Sequence, residues 1–66
     1  MYTIIYETND GKAHRVTSPD HWWDKRPFRT AHDNLMHLRD RDDVIRGHIY
    51  DEVNKKAYCS FDKEDL

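Results

Sequence analysis

Asp33 and His37 stand four residues apart, the spacing at which two side chains share one helix face and could grip a metal ion together. A complete site needs further ligands, and His14, His21, His48 and Cys59 are the residue types that could supply them. None of these falls in a short paired-ligand spacing, so a small metal-stabilised regulatory protein is a third reading only, and no metal ligand is assigned. Cys59 is the one cysteine. As a nucleophile it would need a neighbouring base and an electropositive, open position. Its place between Tyr58 and Ser60 in an alternating segment predicts instead a buried structural thiol. The carboxylates of Asp40, Asp42 and Asp43 are interleaved with Arg39 and Arg41, a pattern of solvated charges that neutralise one another. The expectation is therefore a protein without catalytic residues and without a cofactor.

The segment Asp20-His21-Trp22-Trp23-Asp24-Lys25-Arg26-Pro27-Phe28 offers binding chemistry instead. Trp, Tyr and Arg dominate interface hot spots because they join a large contact area to polar reach. Successive residues of a helical turn point about 100° apart, so Trp22 and Trp23 cannot both face one small core. Trp23 is expected to anchor the core and Trp22 to face outward. Lys25, Arg26 and Arg29 surround the rings and complete an aromatic-basic patch. Bases could stack on such rings while the cations hold phosphates, which makes single-stranded nucleic-acid binding the second reading. Against it stand Asp20, Asp24 and Asp33 in the same stretch and a net charge of -2.

The elements that must position these residues follow from pattern. Tyr2 to Tyr6 is β-branched and aromatic, Asp10-Gly11 suits a primed hairpin turn, and Ala13 to Thr17 makes the return strand. Ser18-Pro19-Asp20 reads as the start of a short helical turn over 19–24, stopped before Pro27. The main helix is predicted to begin between Pro27 and Thr30, with Thr30 and Asp33 as a shortened capping box, and to end near Arg39 or Asp40. Phe28, Ala31, Leu35 and Leu38 form its apolar face. Val44 to Tyr50 is a third strand with Ile45, Gly47 and Ile49 on one side and Val44, Arg46, His48 and Tyr50 on the other. Asp51 to Lys55 turns the chain into a fourth strand, Lys56 to Phe61, and residues 62–66 are expected to fray as an acidic tail.

The fold predicted is one α+β domain over 1–66: a four-stranded antiparallel sheet of two hairpins with one helix on one face, in the order β-β-α-β-β. Its expected core is Phe28, Leu35, Leu38, Ile45, Ile49, Cys59 and Phe61. A chain of this size buries about 60% of the surface it exposes when unfolded, so no deep cleft is expected. No secretory leader or membrane span is read from the sequence, and the lone cysteine suits a reducing compartment, so the chain is expected in the cytoplasm.

Hairpin, helix, hairpin loosely resembles many short intracellular proteins of bacteria and bacteriophages. The resemblance rests on pattern and implies no activity. Together these readings predict a small non-catalytic protein-binding module, such as a phage or mobile-element inhibitor or adaptor, that binds a larger host or cellular protein. Its contact residues would be Trp22, Trp23, Lys25, Arg26 and Arg29, with Arg46, His48, Tyr50 and Tyr58 as a further face of the sheet. The sequence leaves its oligomeric state open.

Overall fold

The computed structural model describes residues 1–18 and 25–64. The short helical turn expected over 19–24, with Trp22 and Trp23, lies outside the described residues. Strands β1 (Tyr2–Thr8) and β2 (Ala13–Ser18) precede helix α1 (Pro27–Arg39), and β3 (Val44–Asp51) and β4 (Lys56–Asp62) follow it. The four strands form one antiparallel sheet in the order β2-β1-β3-β4. The predicted α+β fold is thus present, and the two hairpins meet along a central β1–β3 seam.

The first turn differs from the primed turn expected. Gly11 N–H donates to the Thr8 carbonyl and Thr8 N–H to the Lys12 carbonyl, both at 3.0 Å. Among these turn residues only Gly11 has positive φ, at 83°. The loop is therefore a type I turn at Asn9-Asp10 closed by a glycine bulge, which needs one left-handed residue where a type I′ turn needs two. Thr8 fixes it further, its hydroxyl lying 2.5 Å from Asp10 Oδ1 and 3.1 Å from His14 Nε2.

Pro27 takes the first position of α1, where a missing N–H costs nothing. The expected capping box does not form. Arg26 holds the N-cap position without a side-chain cap bond, and Thr30, already inside the helix, turns its hydroxyl back to the Arg26 carbonyl at 3.3 Å. Ala31 and Leu35 are fully buried on Ile4 and Ile49, with Tyr2, Tyr6, Met36, Leu38 and Phe61 packed around them.

Two bulges explain why the core departs from the expected list. Glu7 pairs with Arg46 but Thr8 with Val44, so Ile45 is an extra residue on β3. The slip carries Val44 to the helix side, where it is buried, and leaves Ile45 half-buried. On β4, Tyr58 pairs with Ile49 and Phe61 with Gly47, so Cys59 and Ser60 together oppose His48. Cys59 has φ 55° there and is exposed, contrary to the buried thiol expected. Tyr58 and Phe61, three apart, thereby both face the helix. Phe28 is also more open than expected, at 36% exposed.

Asp51 ends β3 and shapes the second turn. Its Oδ1 accepts from the N–H groups of Val53 (2.9 Å) and Asn54 (3.2 Å), and its Oδ2 from Asn54 Nδ2 at 2.8 Å. Asp62 closes β4, and beyond it Lys63 N–H donates to the Ile45 carbonyl at 2.8 Å.

Candidate functional site

The strand register separates the residues predicted to bind a partner onto two surfaces. Tyr2, Ile4, Tyr6 and Thr8 face the helix, as do their neighbours Ile49, Gly47 and Val44 on β3. Alternation then sends Arg46, His48 and Tyr50 to the opposite face, beside Thr3, Ile5 and Glu7 of β1 and Ala13, Arg15 and Thr17 of β2. Tyr58 does not join them. It lies opposite Ile49 on the helix side, against Phe28.

The first surface is built around Phe28, on the first turn of α1. Its ring meets Tyr2 edge-on at 5.4 Å and Tyr58 edge-on at 5.7 Å, and stacks on His32 at 6.4 Å. Edge-to-face rings set the positive rim of one on the negative face of another. These three contacts hold Phe28 in place while leaving it and Tyr58, which is 37% exposed, open to an incoming molecule. Arg29 is exposed beside Phe28 and His32, where the three line a depression of about 240 Å³. Lys25 and Arg26, also exposed, lie on the approach to the helix. Trp22 and Trp23 precede them outside the described residues. Tyr2 and His32 were missed from sequence, although the Phe28–His32 spacing of four was a signal that the two rings would meet.

The second surface is the helix-free face, and charge pairing governs it. Arg46 pairs with Glu7 across the β1–β3 seam, with Asp62 on β4 at 3.2 Å and with Glu64 at 3.4 Å. Desolvation would lower the Arg46 pKa, but the charges of Asp62 and Glu7 outweigh it and hold the guanidinium above its ordinary value. One cation among three carboxylates has its charge already answered, so Arg46 is a tie between strands rather than an anchor for an anion. A depression of about 380 Å³ opens beside it, lined by Arg46, Gly47, His48, Ser60, Phe61 and Asp62. Sequence reasoning placed Arg46 on this face but missed its partners, because Glu7 and Asp62 reach it only through strand register.

Asp33 is exposed and His37 exposed on α1. Among the described residues no three His, Cys, Asp or Glu side chains come together in a way that could hold a metal ion. No described helix is long and apolar enough to cross a membrane. No protein-family model matches the chain, and comparison with curated proteins and with solved structures gives no significant match to either.

Proposed function

We propose that the chain is a small non-catalytic binding module, an adaptor or inhibitor, that engages a larger protein through the aromatic-basic surface at the start of α1. The observation that carries this reading is Phe28, held by three rings yet one-third open, with Tyr58 open beside it and Arg29 alongside. Rigid aromatic area next to cations is what interface hot spots are made of, since little side-chain entropy is lost when it is covered. A single-stranded nucleic acid is the second reading, favoured by the same rings and by Lys25, Arg26 and Arg29. The carboxylates of Glu7, Asp62 and Glu64 weigh against extending that path over the sheet.

The test is capture from a nuclease-treated lysate, with wild type compared to Phe28→Ala and Tyr58→Ala. Retention of a specific protein by the wild type, lost about 30-fold or more in a variant that still folds, is the expected outcome, corresponding to a hot spot of about 2 kcal/mol. Loss of all capture on nuclease treatment, together with steeply salt-dependent binding to labelled oligonucleotides, would replace this reading by the second one.

A further inference from the structure

The two edges of the sheet are unlike. The β4 edge is broken by the Cys59-Ser60 bulge, which removes the even ladder that another strand would need. The β2 edge is regular from Ala13 to Ser18 and carries no bulge or proline. The Thr8 N–H bond to Lys12 fixes which of its groups are used. Bonded pairs with β1 then fall at His14 and Val16, and the N–H and C=O of Ala13, Arg15 and Thr17 point away from the sheet. Among the described residues no backbone group pairs with that outer row. Water solvates such a row when it is exposed, and the row is at the same time a ready template for another strand.

The side chains beside this edge are also incomplete. Helix α1 packs over β1 and β3, through Ala31 and Leu35 on Ile4 and Ile49, and leaves Val16 of β2 46% exposed. Val16 borders a cleft of about 340 Å³ that it shares with Ile4, Leu38, Asn34, His37 and Arg41.

We propose that the chain self-associates by antiparallel pairing of β2 with β2 of a second copy, joining two four-stranded sheets into one. Two registers let the outward groups of Arg15 and Thr17 bond. A two-fold axis at Arg15 sets two guanidinium-bearing side chains directly opposite, which is destabilising. An axis at Val16 sets Arg15 opposite Thr17 instead, and forms about four hydrogen bonds between the copies. It also brings the two exposed valines together in a non-hydrogen-bonded pair, where Cα atoms approach to about 4.5 Å. Charge thus favours the Val16 register over the Arg15 one, and the valine pair distinguishes it from an axis at His14. A second copy supplies the matching bare row and a matching valine at the same level, and a net charge of -2 per chain opposes the approach only weakly. One strand pair falls short of the roughly 800 Å² per partner of a standard interface, so the association is concentration-dependent.

Sedimentation equilibrium of the full chain over roughly 10 μM to 1 mM tests this. The expected result is a mass rising from monomer toward dimer. Thr17→Pro removes an outward N–H while sparing the β1 ladder, and should remain monomeric with an unchanged circular-dichroism spectrum. For register, Val16→Cys in a Cys59→Ser background should form a disulfide-linked dimer on mild oxidation, since paired Cα atoms at that spacing accept the bond. Thr17→Cys in the same background, which would face Arg15 of the second copy rather than another Thr17, should cross-link far less. A monomer throughout overturns the proposal and gives the edge to a foreign strand or to none. So does a dimer undiminished in folded Thr17→Pro, or cross-linking that favours Thr17→Cys over Val16→Cys. Should Thr17→Pro fail to fold, the two cysteine variants alone decide.

Discussion

Gly47 shows how little room single residues have in so thin a core. A Cβ built there would lie 3.1 Å from the Phe61 ring, 3.2 Å from the Ile5 carbonyl oxygen and 3.2 Å from Tyr6 Cβ. The backbone oxygen cannot step aside without moving β1. Gly47→Ala is expected to destabilise the domain by about 1–3 kcal/mol, the usual cost of overpacking, read from urea unfolding. Leu35→Ala and Ile49→Ala err in the opposite sense: both side chains are fully buried, and each truncation should cost about 2–4 kcal/mol. Asp51 contributes to the pH dependence of stability in acid. Hydrogen bonding from Asn54, first from its side chain and then from its backbone, together with Val53 N–H, lowers the carboxyl pKa from its ordinary 3.8. The unfolded chain therefore binds the proton more readily, so this stabilisation is present above about pH 4 and is lost as pH falls through the folded value. Melting curves from pH 6 down to pH 2.5 should show wild type losing more than Asp51→Asn, which already melts lower at pH 6.

At the scale of elements, the ranges of all four strands and the helix were legible from β-branched runs, the proline at the helix start and the Asp-Gly pair. Hydrophobic period announces an element's existence. What the residues could not announce was where the period slips. Val44, Cys59 and Tyr58 were each assigned to the wrong side by strict alternation, and in each case a bulge shifted the count by one. A bulge answers to the partner strand, as when Cys59 and Ser60 together oppose His48, and that pairing is a long-range fact. The aromatic surface was half legible for the same reason. Lys25, Arg26 and Arg29 are neighbours in sequence, whereas Tyr2 and Tyr58 reach Phe28 from opposite ends of the chain. Cys59 also offers a test at this scale. An L-residue at φ 55° carries a penalty of about 1 kcal/mol that glycine avoids, so Cys59→Gly should raise stability by about that amount in chemical denaturation. An unchanged or lower midpoint would mean that β4 does not hold its bulge there.

For the whole molecule, the sheet order places the two halves of the chain in one another's keeping. β1 pairs with β3 from Tyr2 opposite Asp51 to Thr8 opposite Val44, and the Arg46 tie to Glu7 crosses the same seam. Neither hairpin keeps its hydrophobic face covered alone, and an isolated two-stranded hairpin is marginal in water. A peptide of residues 1–18 should therefore be unfolded by circular dichroism, while the full chain melts in one transition seen alike by far-ultraviolet and tyrosine signals. The irregular strand β4 has a further consequence for a protein with an open sheet. A chain with two regular edges could add copies without limit, each new member offering a fresh template, and would drift toward fibres. With Cys59 and Ser60 spoiling one edge, every copy has a single regular edge to offer, and pairing it leaves none. Growth then stops at a closed, symmetric pair, and a bend of one residue in the last strand sets the stoichiometry.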